Sequence, residues 1–138
     1  MDREIKFRVW DKVNKKWIDD SDIAINQQGL LFIRYEGQVA FDSISLTKSK
    51  TYEISLHTGL KNKNGKEIYE GDIVKFGNRK TEVRYIAGSF KVEQVDYREF
   101  MEGNKHKAWV NLDVENNNIE TIGNIYENPE LLKTAKGK

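Results

Sequence analysis

The chain has 138 residues, 38% of them hydrophobic and 33% charged, with no cysteine and a formal net charge of +1. That balance gives one domain-sized unit with a thin core under a well-solvated surface. It excludes disulfides and thiolate metal sites, and no apolar run reaches the roughly eighteen residues of a membrane-spanning helix. Residues 1–66 carry 12 basic and 9 acidic side chains and residues 67–138 carry 11 and 13, so there is no strong basic field for duplex DNA. The opening Met1-Asp2-Arg3-Glu4-Ile5-Lys6 lacks the apolar stretch of a signal peptide, and a cytoplasmic location is expected.

Ile5, Phe7 and Val9 alternate with Lys6 and Arg8, the two-residue period of a strand with one buried face. The polar run 11–16 breaks it, and Trp17-Ile18 returns, with Trp10 and Trp17 placed to pack across the turn. Ile23 and Ile25 alternate again, Asn26-Gln27-Gln28-Gly29 reads as a turn, and 30–35 is a short apolar strand. Val39-Ala40-Phe41 is expected to pair back, and Thr47-Lys48-Ser49-Lys50 is the best internal boundary.

Tyr52, Ile54 and Leu56 begin the second half. Asn64-Gly65 signals a two-residue hairpin, because both central residues of a type I′ turn need positive φ. Glu70-Gly71-Asp72 reads as a tight hairpin turn between Tyr69 and Ile73, and Gly77-Asn78 and Ala87-Gly88-Ser89 separate further short strands. Residues 93–107 match no pattern; Trp109–Leu112 and Ile119–Tyr126 are strands around a turn at Asn116-Asn117-Asn118. Asn128-Pro129 opens a short helix, with Asn128 accepting from its first free amides. A helix this short does not persist alone, so Leu131 and Leu132 need a surface on this chain or on a neighbouring copy. The fold class expected is mainly β: a small antiparallel β protein, barrel or sandwich, with a short C-terminal helix. It is read as one unit, 1–138, with lobes at 1–46 and 51–132 and a frayed tail at 133–138.

Three blocks are distinctive: 3–11 (Arg-Glu-Ile-Lys-Phe-Arg-Val-Trp-Asp), 58–74 (from Thr58-Gly59-Leu60 through Asn64-Gly65 and Glu70-Gly71-Asp72 to Val74) and 122–132 (from Ile122-Gly123-Asn124 to Leu132). Together, and in this order, they resemble the YopX family of small proteins encoded by phages and prophages. The resemblance implies a second lobe similar to an SH3-like barrel and a homo-oligomer. It implies no catalytic residues.

The residues themselves point the same way. Glu67, Glu70 and Asp72 lie close enough in sequence for acid–base or hard-metal chemistry, but an ordinary hairpin turn explains them better. His57 and His106 are the only histidines, too few for a zinc site without cysteine. The glycines at 59, 65, 71 and 77 lack the Gly-Lys-Ser/Thr ending of a phosphate loop, no serine sits in a Gly-x-Ser-x-Gly elbow, and 113–118 lacks the glycine and glutamate of a calcium loop. No catalytic, cofactor or metal site is therefore expected, and the chain is read as a non-enzyme. Between 47 and 66 five lysines (Lys48, Lys50, Lys61, Lys63 and Lys66) face only Glu53. Lys75, Arg79, Lys80 and Arg84, beside Phe76 and Tyr85, form the candidate partner surface, and Gly71–Val74 leading into them resembles the opening of KOW-type barrels. Trp10, Tyr69, Trp109 and Tyr126 are candidate interface aromatics, set against their commoner use in plain packing. The leading expectation is a non-enzymatic module acting on a phage or host protein, with a second copy of the chain as a further partner and no membrane. Weak binding of single-stranded nucleic acid is the alternative.

Overall fold

Alternating apolar residues mark the strands at 7–11 and 52–56, but burial follows them incompletely: Val9, Trp10 and Asp11 are buried in succession, and Ser55 is fully buried while Leu56 is 40% exposed. The computed structural model describes residues 5–34, 42–45, 50–76, 79–95, 107–112 and 118–132. The chain divides inside one strand, between Leu56 and His57, into two units, Lys6–Leu56 and His57–Lys138 with Met1–Ile5.

In the first unit β1 (Phe7–Asp11) pairs antiparallel with β2 (Lys16–Trp17) and with the first half of β6 (Tyr52–Lys61). Trp10 stands opposite Trp17, their rings edge to face with centroids 5.0 Å apart. After a 3-10 turn at Asp20–Asp22, β3 (Ile23–Ile25), β4 (Leu30–Ile33) and β5 (Asp42–Ser45) form a second antiparallel sheet. The return strand therefore includes 42–45; the expected segment 39–41 lies outside the described residues. Val9, Leu31, Ile33 and Tyr52 form the core, with Phe7, Ile18, Ile23 and Ile25 packed on it.

In the second unit the end of β6 pairs with β7 (Glu67–Tyr69). There follow β8 (Asp72–Phe76), β9 (Arg79–Glu82), β10 (Arg84–Ile86), β11 (Ser89–Val95), β12 (Lys107–Asn111) and β13 (Glu120–Asn124). β9 and β10 are one strand interrupted at Val83. Its first half pairs with β8 and its second with β11, so the orders β13-β8-β9 and β10-β11-β12 run on as a curled half-barrel. The Thr81 hydroxyl oxygen accepts the Glu93 N–H at 2.9 Å across the kink. Ile68, Val74, Val83, Val92, Leu112 and Ile119 fill the inside; full burial of each such aliphatic contributes roughly 1.5–3 kcal/mol. The fold is mainly β and antiparallel, with, among the described residues, one short α-helical turn at 130–132.

Three local expectations are corrected. The hairpin between β6 and β7 is not a two-residue turn at Asn64-Gly65. Asn62 N–H bonds the Lys66 carbonyl, Gly65 N–H bonds the Asn62 carbonyl, and only Gly65 has positive φ, at 79°. The loop is thus three residues long, a turn followed by a left-handed glycine, because the Asn62 side chain accepts from Asn64 and Lys66 N–H and draws the start of the turn back to itself. Both central residues with positive φ occur instead at Ala87 (51°) and Gly88 (86°), between the paired Ile86 and Ser89. Second, Glu70-Gly71-Asp72 is a tight turn but not a hairpin, since β7 pairs with β6 while β8 pairs with β13 and β9. Third, Asn128 points backwards: its side-chain oxygen accepts from Asn124 N–H, and its carbonyl, not its side chain, takes the Leu131 N–H. Of the unmatched stretch 93–107, β11 extends to Val95 and β12 begins at Lys107; 96–106, with His106, lies outside the described residues.

The C-terminal block docks on its own unit. Ile125 N–H bonds the Gly71 carbonyl at 2.8 Å. A Cβ on Gly71 would lie 2.9 Å from the Tyr126 ring, and one on Gly123 would lie 2.6 Å from Asn128 Oδ1 and 2.9 Å from Leu131 Cδ1. Both positions exclude a side chain because the block lies directly against them.

Candidate partner surface

The polar residues of the three blocks close turns. Asp11, Asn62, Asp72 and Asn124 are all less than a tenth exposed. Asp11 Oδ1 accepts Val13 and Asn14 N–H. Asn62 Nδ2 also donates to Thr121 Oγ1 at 3.0 Å, Asp72 Oδ2 accepts Tyr69 N–H at 2.8 Å, and Asn124 Oδ1 accepts Tyr126 and Glu127 N–H. An unbonded buried polar group costs about 1–3 kcal/mol, and these side chains spare the turns that cost. Burial opposes the Asp11 charge, but the hydrogen bonds from Asn14 and Val13 and the nearby Lys16 outweigh it and hold the carboxyl below its usual range. Glu67, Glu70 and Asp72 share no focus: Asp72 serves its turn and Glu67 accepts from the Tyr69 hydroxyl at 3.4 Å. Among the described residues no three potential metal ligands cluster.

A cleft of about 340 Å³ in the first unit is lined by Asp11, Trp17, Ile18, Asp19, Asp22 and Arg34 among others. Its charges already serve the chain. Asp19, held below the usual aspartate range by the Ser21 hydroxyl and N–H, caps the 3-10 turn, and Asp22 pairs with Arg34 at 3.1 Å. In the second unit both ring nitrogens of His57 are buried without a hydrogen-bond partner, with the ring 5.2 Å from that of Tyr69.

The four basic residues singled out from the sequence do not share one face. Register pairs Lys75 with Lys80 and Ile73 with Glu82, so Lys75, Lys80 and Glu82 lie on the outer face of the half-barrel. Arg84 continues that face, bonding Glu82 at 3.3 Å and lying 5.0 Å from the centre of the Trp109 ring. Arg79 alternates to the other side with the buried Thr81, and its Nε is itself buried without a partner. Sequence reasoning missed Lys91, which stands directly across from Arg84. The alternation within 79–84 was the available signal: adjacent residues of a strand cannot share a face.

The four candidate aromatics are engaged within the chain. Trp10 is buried against Trp17, Tyr69 lies beside His57, Trp109 beneath Arg84, and Tyr126 over Gly71. Among the described residues the exposed ring of the half-barrel is Tyr85, at 53% exposure. It stands across from Phe90, edge to face with centroids 5.1 Å apart, and Phe90 packs on the core.

The family model described as YopX protein matches residues 6–133. Two crystal structures are similar over nearly the whole chain. YopX from Bacillus subtilis is 26% identical, with 91% of this chain and 95% of that one covered and a TM-score of 0.56. Protein EF1440 from Enterococcus faecalis is 26% identical, with 94% and 99% covered and a TM-score of 0.46. No curated protein matches.

Proposed function

The chain belongs to the YopX family, and from that premise we propose that it is a non-enzymatic module that binds another protein through the Tyr85 end of its half-barrel. Tyr85 carries the reading. A half-exposed ring, braced by Phe90 on a two-residue hairpin, offers contact area at small entropic cost. The block residues support binding over catalysis, since their polar groups are taken up by their own turns. On this reading the half-barrel is an SH3-type lobe. The partner is a phage or host protein in the cytoplasm of a bacterium carrying phage or prophage genes, a compartment that suits a cysteine-free chain. A second copy of the chain competes for the same patch.

The test is affinity capture from induced host cells, read by mass spectrometry, with wild type and Tyr85→Ser side by side and both proteins sedimented. A protein held by wild type and lost about tenfold or more from a variant of unchanged melting temperature supports the proposal. Equal capture by both sinks it. A dimer that dissociates in Tyr85→Ser gives the patch to a second copy. Turnover abolished by Glu67→Gln or Glu70→Gln in a folded protein overturns the non-enzymatic part.

A further inference from the structure

We propose that the outer face of the half-barrel binds single-stranded nucleic acid along its phosphates. This surface is separate from the Tyr85 patch, because Tyr85 pairs with Phe90 on the core side of the same hairpin whose other side carries Arg84 and Lys91.

The first observation is a repeated like-charge pairing. Lys75 stands directly opposite Lys80, and Arg84 directly opposite Lys91. Sheets normally place opposite charges or neutral residues across from each other, because like charges in direct opposition repel. An anion laid over both pairs removes that repulsion.

The second observation is how the acids of this face are spent. Glu82 is bonded to Arg84 at 3.3 Å, and Glu120, which register sets beside Lys75, is bonded to Lys63 at 3.6 Å. Among the described residues Lys75 and Lys80 carry no ion pair, and the Lys91 ammonium donates to the Ile86 carbonyl and the Ser89 hydroxyl, neither of which neutralises it. Glu93, two residues along β11 from Lys91, shares this face and is itself engaged. The face still carries four cations, Lys75, Lys80, Arg84 and Lys91, against three acids, Glu82, Glu93 and Glu120, although the whole chain is nearly neutral.

The third observation selects nucleic acid over an acidic peptide. The Arg84 guanidinium lies over the Trp109 ring while its side chain remains 52% exposed. The far side of that planar group is a platform on which a base stacks, and a polyanion without rings has nothing to place there. The lysines meet phosphates, and a base stacked on that platform has left its duplex, so the strand is single.

The test is fluorescence anisotropy of labelled single-stranded DNA and RNA 20-mers titrated with the full chain. Three or four phosphate contacts give a log–log salt slope of about −2 to −3, so affinity should fall roughly 15- to 60-fold between 50 and 200 mM salt. Lys75→Glu with Lys80→Glu should lower affinity about tenfold or more, and because it also sets an acid across from Glu120 the melting temperature is measured beside it. If that variant melts early, Lys75→Gln with Lys80→Gln replaces it, with a smaller loss expected. No binding at 20 mM salt, or equal binding by wild type and either folded variant, overturns the proposal. Polyglutamate competing as well as the oligonucleotide reassigns the face to an acidic protein, and duplex binding as tight as single strand removes the stacking platform; either overturns the proposal as stated.

Discussion

Two hairpins, one in each unit, are closed by the same four bonds yet anchored differently. Asn26 Oδ1 accepts Gln28 and Leu30 N–H, and Asn62 Oδ1 accepts Asn64 and Lys66 N–H. In each the glycine three residues on bonds the asparagine carbonyl, and the asparagine N–H bonds the carbonyl four residues on. Gly29 and Gly65 adopt nearly equal positive φ, 81° and 79°. The difference lies beyond the turn. Asn62 Nδ2 reaches Thr121, and Lys63 N–H reaches the Ile119 carbonyl at 2.9 Å; among the described residues Asn26 has no such long-range bond. An asparagine followed three residues later by glycine is a local device that needs no tertiary help. In the second unit the same device also ties the β6–β7 loop to the last strand.

The largest expected effect tests that tie. Asn62→Ala removes both turn bonds and strands Thr121, and should cost about 2–4 kcal/mol, whereas Asn26→Ala should cost about 1 kcal/mol. Urea unfolding followed by tryptophan fluorescence measures both; equal losses would mean that the Thr121 bond contributes nothing. Gly29→Ala and Gly65→Ala sharpen the likeness. No atom lies within 4 Å of a Cβ at either site, so only the left-handed backbone is charged, and each should lose about 1–2 kcal/mol. A difference above roughly 0.5 kcal/mol would show that the two turns are not equivalent. Ala87→Asn goes the other way. It puts Asn-Gly where both residues already have positive φ and should stabilise by about 0.5–1 kcal/mol in the same assay.

The smallest effect concerns the charged version of the device. Asp11 closes its turn as asparagine does the others, but with an ionised carboxyl whose folded-state pKa is lowered. Its contribution is complete above the usual aspartate range and is lost as pH falls through the lower folded value. Asp11→Asn should therefore matter little in acid and more at neutral pH. Denaturation midpoints at pH 7 and pH 3 measure this, and a wild-type advantage as large at pH 3 would contradict it.

What was legible in the sequence follows from range. The strands holding Phe7 and Val9 and Tyr52 to Leu56, and the Trp10–Trp17 pair, were readable because alternation and a short turn decide them, but the alternation did not show that Ser55 is buried and Leu56 exposed. Asn64-Gly65 misled because Asn62, two residues earlier, competes for the same amides and wins. The turn at Ala87-Gly88 was placed but its type was hidden, since alanine seldom takes positive φ. The pairing of β6 with β7 shifts register between His57 and Lys61, and this irregularity left no mark in the sequence beyond Thr58-Gly59. There the Thr58 hydroxyl donates to the Ile68 carbonyl and accepts the Leu60 N–H, and the first of these partners is visible only once β7 is in place. Of the basic residues grouped by charge, Lys75, Lys80 and Arg84 share a face, while Arg79 alternates to the other side and Lys91, outside the group, lies across from Arg84. Charge is written locally, but the face a charge occupies depends on register.

The pairing of β13 with β8 sets a timetable while the chain is being synthesised. Ile73 and Val74 are fully buried in the finished fold, yet one edge of their strand is satisfied only by Glu120–Asn124. At about 5–20 residues per second, the ribosome leaves that edge open for seconds. The first unit, whose strands pair within Lys6–Leu56, has by then emerged whole. An open, apolar strand edge is a template for pairing with another nascent chain. Translation pauses within 77–119 lengthen that exposure, and this is where aggregation during expression should be most sensitive to codon choice.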